Sequence, residues 1–337
     1  MKPLKGIHHV TAITSSAEMI YDFFTHVLGL RLVKKTINQD DIHTYHLFFA
    51  DDLGSPGTDM TFFDFPGVMQ AQKGTNEIGK TGFRVPDDAS IDHYRARFAH
   101  FDVTHREPSV LFGRKVMLFE DFDGQEYFLI SDENLSGVPS GTPWKKGPVP
   151  DRYAITGLGP VWFRVDDGDA INDVLTHKLT FIKKAHDGAL SLYETGEGGN
   201  GAGVIVEVTQ GADRAIQGYG AVHHVAFRVD DIDDIASWID ALNKGRHRHS
   251  GLVDRFYFKS LYTRLYPGLL FEFATDGPGF IDDEEDYETL GETLALPPRF
   301  RPHRKEIEKL VRPIDTTRSD KVFTKEDFSV SKKDIRP

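Results

Sequence analysis

Val222-His223-His224-Val225-Ala226-Phe227-Arg228-Val229 is the stretch that decides the fold. From His224 onward, apolar and polar side chains alternate, the pattern of a strand with one buried face. Asp231 to Asn243 then sets Ile232, Ile235, Ile239 and Leu242 on one side at helical spacing, with Gly245 as a stop signal. β-Branched and aromatic stretches punctuated by glycine follow, as in Gly268-Leu-Leu-Phe-Glu-Phe-Ala. The phrase reads strand, helix, then further strands.

It recurs. Phe-Arg-Val followed by acidic residues stands at Phe83-Arg84-Val85, Phe163-Arg164-Val165 and Phe227-Arg228-Val229. The chain also opens this way: His9 to Thr14 as a strand, Ala17 to Leu28 as a helix capped by Ser16 and ended by Gly29, then strands closing at Met60-Thr-Phe-Phe-Asp-Phe. The fold expected is α+β, with four βαβββ units at about 4–66, 76–132, 153–210 and 219–276. Their uneven starts hide the repeat from a fixed-period search. Gly137 to Pro150, rich in proline and glycine, reads as a linker. The expected organisation is 1–136 for units one and two, 137–152 for the linker, and 153–279 for units three and four. A C-terminal extension, 280–337, should hold one short helix around His303–Val311 and end in a mobile tail.

Composition narrows the chemistry. A net charge of −12 gives phosphate backbones no electrostatic attraction, so no nucleic-acid partner is expected. No run approaches the roughly 18 apolar residues of a membrane span, and no membrane partner is expected either. The chain has no cysteine, so a metal site must be built from His, Asp and Glu. That suits a reducing cytoplasm and a hard or borderline ion.

Strand parity sorts the histidines. Val225, Phe227 and Val229 form a face that packs under the helix, leaving His224, Ala226 and Arg228 opposite. Phe271 and Phe273 likewise leave Leu270, Glu272 and Ala274 on the other face, and Val10 and Ala12 leave His9, Thr11 and Ile13. The second histidine of each pair and Glu272 therefore face the concave side, and converge if units one and four lie side by side. Units two and three carry Lys80 and Pro160 in place of His9 and His224, and unit one has Thr61 in place of Glu272. Two imidazoles and one carboxylate leave open positions, a set suited to non-haem Fe(II). A lone His-His pair is more often structural than metal-binding; two at equivalent repeat positions, with Glu272 on a buried strand, shift the balance. His247 and His249 read as a solvated basic end, His46 as a second residue of the cup, His43 as a neighbour on its strand, and Asp282–Asp286 as solvent-facing.

Ile7-His-His-Val-Thr, Tyr45-His-Leu-Phe-Phe-Ala-Asp, Gly54-Ser-Pro-Gly-Thr and Val222-His-His-Val-Ala-Phe resemble the hydroquinone-type ring-cleaving dioxygenases of the vicinal oxygen chelate superfamily. The resemblance covers nearly the whole chain. It implies two cup-like mixed β-sheet barrels with helices outside. It assigns the metal ligands to His9, His224 and Glu272, and supporting catalytic roles to His8, Thr11, His223, Arg255 and Tyr262. The implied cofactor is Fe(II), with Mn(II) compatible with the same ligands. The implied partners are O₂ and a small aromatic diol of hydroquinone or catechol type, and a homo-oligomer is left open. A glyoxalase-like metal-dependent isomerase is the rival reading, against which Thr61 counts; a non-catalytic binder of a hydrophobic ligand is another.

Overall fold

The computed structural model describes residues 2–281 and 285–328. Unit one is β1 (Ile7–Ile13), α1 (Ala17–Asp22), β2 (Arg31–Asn38), β3 (Asp41–Ala50) and β4 (Asp59–Phe63). Unit two is β5 (Glu77–Val85), α2 (Asp88–His100), β6 (Ser109–Leu111), β7 (Arg114–Glu120) and β8 (Glu126–Ser131). Unit three is β9 (Gly157–Val165), α3 (Gly168–Asp173), β10 (Ile182–Asp187), β11 (Leu190–Glu194) and β12 (Gly203–Val208). Unit four is β13 (Ala221–Val229), α4 (Ile232–Lys244), β14 (Val253–Asp254), β15 (Lys259–Tyr266) and β16 (Leu269–Thr275). The expected βαβββ order is present in all four.

Local signals work as read, with adjustments. The Ser16 hydroxyl accepts from the Met19 N–H at 3.2 Å, and Gly29 ends the first helical segment at φ 77°, a left-handed conformation that favours glycine. That segment is not one α-helix: Phe23–Leu28 winds as a π-helix, and Val174–Lys178 does the same after α3. The wider turn seats Phe24 against Phe49 and Phe62, at ring distances of 5.1 and 4.9 Å. In α4 the Asp231 carboxylate accepts from the Asp234 N–H at 3.0 Å. Its buried face is Ile235, Trp238 and Leu242; Ile232, in the first turn, is 48% exposed. Trp238 stacks on Phe273 at 4.5 Å.

The strands build two curled eight-stranded mixed sheets, β14-β15-β16-β13-β1-β4-β3-β2 and β10-β11-β12-β9-β5-β8-β7-β6. Unit one thus shares a sheet with unit four, and unit two with unit three, through antiparallel pairs β1–β13 and β5–β9. One contiguous apolar core lies on the helix side, including Phe24, Phe83, Phe163 and Phe227. Smaller clusters line the concave sides: Val33, Phe48, Tyr257, Phe258 and Phe280 in the first sheet, and Phe128, Trp162, Leu192 and Ile205 in the second.

The extension wraps the first sheet and carries α5 (Arg304–Leu310), the expected short helix. Its Phe280 packs against Phe48 at 4.9 Å and Tyr257 at 5.7 Å. Within Asp282–Asp286, residues 282–284 lie outside the described residues, as do 329–337, where the mobile end was expected. Glu285 is not solvent-facing: it is buried and pairs with the Lys34 ammonium at 2.7 Å, a charge that needs such a partner inside. No helix among the described residues is long and apolar enough to cross a membrane.

The α4 assignment makes a prediction for urea unfolding. Trp238→Ala should cost about 3–5 kcal/mol through the cavity it leaves. Ile232→Ala should stay within about 0.5 kcal/mol, as for a surface change. Similar losses for both would refute this orientation of the helix.

Candidate metal centre

Pairing between β1 and β13 runs Ile7–Phe227, His9–Ala226, Val10–Val225, Thr11–His224 and Ala12–Val222. His8 and His223 are passed over, so each is the additional residue of a β-bulge. A bulge breaks strict alternation. Ile7 and Val10 therefore both enter the helix-side core, as do Val222 and Val225. Both imidazoles of each pair are then free to reach the other side: the His8 ring meets Phe258 at 5.2 Å, and His223 lines the concave cavity. Parity alone sends only the second histidine of each pair there. The missed signal is an apolar spacing of three, Ile7 to Val10 and Val222 to Val225, inside strands of period two.

The pairing brings His9, His224 and Glu272 together. The two Nε2 atoms lie 3.3 Å apart, and Glu272 Oε2 lies 3.1 Å from that of His9 and 3.0 Å from that of His224. All three side chains are buried. The imidazoles approach Oε2 off the geometry of a hydrogen bond, so neither carboxylate oxygen has a hydrogen-bond donor. Burial alone pushes the Glu272 pKa up, and it is positive charge at the facing ring nitrogens, from protons or from a cation between them, that holds the group well below the usual carboxylate range. Among the described residues this is the single cluster of three His, Asp or Glu side chains able to hold a metal ion together.

Proton accounting shows which ring atoms face the centre. His8 Nε2 is 3.1 Å from the Thr275 carbonyl, which can only accept, so that nitrogen carries the proton. Burial drives the His8 pKa down to about 3, keeping the ring neutral and Nδ1 bare. The Nδ1 of His9, 2.9 Å away, donates to it, and His9 Nε2 presents a lone pair to Glu272. His224 Nδ1 lies 2.7 Å from that of His223, whose pKa burial likewise lowers to about 3; with the His223 proton on Nε2, the His224 Nε2 lone pair faces the centre in the same way. Lone pairs and a carboxylate aimed at one another repel unless a cation lies between them. The donor set fits a divalent metal, and histidines oriented through their far nitrogens are the usual support for one.

Around the centre lies a cavity of about 390 Å³. Phe48, Phe63, Phe65, Tyr257, Phe258 and Leu270 supply its apolar wall, and Arg255, Tyr262, His46 and His223 are among its polar groups. Tyr262 stands on β15, and burial raises its pKa, so it keeps its proton. Arg255 lies in the turn after β14 rather than in a strand. Its Nε donates to the Tyr262 hydroxyl at 3.1 Å, its guanidinium pairs with Asp40 at 2.9 Å, and its carbonyl accepts from Gln39 Nε2 at 2.7 Å. Thr11 Oγ1 sits 3.0 Å from His224 Nε2 and 2.7 Å from Thr61 Oγ1, which in turn sits 2.9 Å from His46 Nε2. Thr61, one strand over on β4, takes the place that repeat symmetry matches to Glu272, so the site has a single carboxylate. His43 is exposed beside Asp41. His247 and His249 lie away from the cavity.

The second sheet keeps the same bulges without the chemistry. Its pairing runs Ile78–Phe163, Lys80–Trp162, Thr81–Val161 and Phe83–Leu158, placing Gly79 and Gly159 where His8 and His223 stand. Lys80 Nζ lies 4.4 Å over the Trp162 ring, and Phe128 and Ile205 fill the concave face.

Residues 6–127 match the family model described as Glyoxalase/Bleomycin resistance protein/Dioxygenase superfamily. Ring-cleaving dioxygenase MhqA of Bacillus subtilis (strain 168) is 40% identical over 92% of this chain and 99% of its own. The chain belongs to this superfamily. Chlorohydroquinone/hydroquinone 1,2-dioxygenase of Sphingobium indicum is 30% identical over 90% of this chain and 95% of that protein. A crystal structure of a dioxygenase from Bacillus subtilis superposes with a TM-score of 0.86 at 33% identity, covering 94% of this chain and 99% of that one. Glyoxalase I of Zea mays shares the fold at a TM-score of 0.57 and 16% identity, over 80% of this chain and 92% of its own. The full-length relatives place the chain among the superfamily's dioxygenases, as an enzyme. Membership implies a metal, and the His-His-Glu cluster is built to hold one.

Metal titration should saturate at one divalent cation per chain. A concentration of 100 Kd should stabilise the fold by about 2.7 kcal/mol, read as a rise in Tm. Alanine at His9, His224 or Glu272 should abolish the rise, whereas Lys80→Ala should keep it. His8→Phe should weaken metal binding by about 10–100-fold by breaking the tie to Thr275. A second tight equivalent in the wild type would overturn the single-site reading.

Proposed function

We propose that this chain is an Fe(II)-dependent dioxygenase that opens the ring of a small aromatic diol of hydroquinone or catechol type, with His9, His224 and Glu272 as metal ligands. The observation carrying this reading is the convergence of two lone-pair-bearing imidazoles on one buried carboxylate at the end of a mainly apolar cavity. Two histidines and one carboxylate with open positions are the set that non-haem Fe(II) oxygenases use. Mn(II) suits the same donors. When bound, the ion supplies Lewis acidity toward a phenolic oxygen and electron transfer to O₂.

The chain's own residues do the rest. The aromatic wall buries the ring and excludes water, which strengthens every charge interaction inside. Arg255 supplies a permanent positive charge that favours a deprotonated diol oxygen. Tyr262, still protonated and already accepting from Arg255 Nε, has its own O–H left to donate to that oxygen. His223 is neutral and lines the cavity; with its Nδ1 lone pair held by His224, its part is to orient that ring and leave an Nε2–H donor, as His8 orients His9 from the equivalent place. Thr11 stands beside His224 with its hydroxyl paired to that of Thr61. The single carboxylate, with Thr61 in the matching position, favours this reading over a glyoxalase-like isomerase. The absence of cysteine suits a cytoplasmic location.

Protein loaded anaerobically with Fe(II), then given methylhydroquinone or catechol, should consume O₂ stoichiometrically as the aromatic absorbance disappears. Arg255→Ala should keep its metal and lose about 10²–10³-fold in kcat. No uptake with either diol at one bound metal per chain would overturn the dioxygenase reading. Apoprotein in the Arg255 variant would overturn the role given to that residue.

A further inference from the structure

His46 is a polar group of the cavity that the proposed chemistry leaves unused. It lies on β3, and its imidazole sits between Phe48, at a ring distance of 4.0 Å, and Phe63, at 4.4 Å. Those two rings fix its plane. Its Nε2 is tied to Thr61 Oγ1 at 2.9 Å, while its Nδ1 has no hydrogen-bond partner among the described residues in a ring that lines the cavity.

The hydroxyl pair behind it sets where the proton sits. In the metal-loaded enzyme the lone pair of His224 Nε2 is taken, so Thr11 has no acceptor there. The neighbour left to it is Thr61 Oγ1, 2.7 Å away. Thr61 then has its own proton to give, and the atom within reach is His46 Nε2. A neutral imidazole that accepts at Nε2 carries its hydrogen on Nδ1. His46 thus becomes a donor aimed into the cavity.

Position decides what it meets. Strands β1, β4 and β3 are consecutive in the sheet, so β3 lies two strand spacings from β1, roughly 9–10 Å at about 4.8 Å each. A ring attached through one oxygen at the cluster spans that gap with its far end. A para-diol carries its second oxygen there; an ortho-diol carries both beside the metal. We propose that His46 donates a hydrogen bond from Nδ1 to the hydroxyl across the ring, making it the residue that selects para-diols. This rests on the dioxygenase reading above.

The test is equilibrium binding to Fe(II)-loaded protein without O₂, comparing hydroquinone with phenol, which lacks the far oxygen. One neutral hydrogen bond should make wild-type protein bind hydroquinone about fivefold tighter than phenol. His46→Phe, which keeps the aromatic stack, should bring that ratio to about one, with metal content and phenol affinity unchanged. His46→Gln, which keeps an N–H donor, should restore part of the ratio, and it reads the same quantity if the phenylalanine variant does not fold. An unchanged ratio in a metal-replete variant would overturn the role of His46 while leaving the dioxygenase reading standing. If metal-loaded wild type binds neither compound, the role of His46 falls together with the hydroquinone form of the dioxygenase reading, and the catechol form is left to the O₂-uptake test above.

Discussion

A strand that alternates strictly can show only one of two adjacent histidines to a given face. The proposed centre uses both: one to hold a cation, the other to hold its neighbour's ring in the right protonation. Two bulges, one in β1 and one in β13, resolve this by turning consecutive side chains the same way without moving the flanking Ile7, Val10, Val222 and Val225 out of the core. The antiparallel pairing of these strands then faces the two imidazole pairs toward each other. From there the Thr275 carbonyl settles one proton, and that proton settles the lone pair on His9. The electrostatic demand at the centre is thus traceable to backbone geometry in a strand that a sequence describes with seven letters.

Much of this was legible because the relevant signals are local and periodic. The repeat phrase, the cap at Ser16, the stop at Gly29, the helical segment begun at Asp231, and the parity of Phe271, Glu272 and Phe273 all survive in the structure. What escaped depended on tertiary packing. Ile232 has helical spacing with Ile235, yet it falls in the first turn, and Trp238 takes the place against Phe273. Arg255 leaves its strand because β14 is only two residues long, and the turn that follows lays the guanidinium beside Tyr262. Glu285 looks like part of a solvated acidic run, but Lys34 waits for it inside. No local pattern encodes a partner some 250 residues away.

The two sheets set site and scaffold apart within a single chain. The register of β5 against β9 reproduces that of β1 against β13, bulges included. The bulge is therefore a property of the repeat, present whether or not histidine occupies it. In the second sheet glycine takes the position and apolar side chains fill the concave face, so the same backbone becomes core. In the first, the β2–β3 hairpin and the β14–β15 turn are joined by Gln39, Asp40 and Arg255 at the mouth of the cavity, and Phe280 packs against its aromatic wall.

The pairing of unit one with unit four has a consequence for how the chain assembles. During synthesis, β5 can meet β9 soon after the linker emerges, whereas the edge of β1 stays unpaired until β13 is made more than two hundred residues later. Closing so long a loop costs entropy before any contact returns it, and an open strand edge is an invitation to the wrong partner in the meantime. Lys34 and the aromatic floor wait longer still, for the extension that supplies Glu285 and Phe280. The half of the molecule that carries the His-His-Glu cluster is therefore the last to close, and the half without it is free to form first.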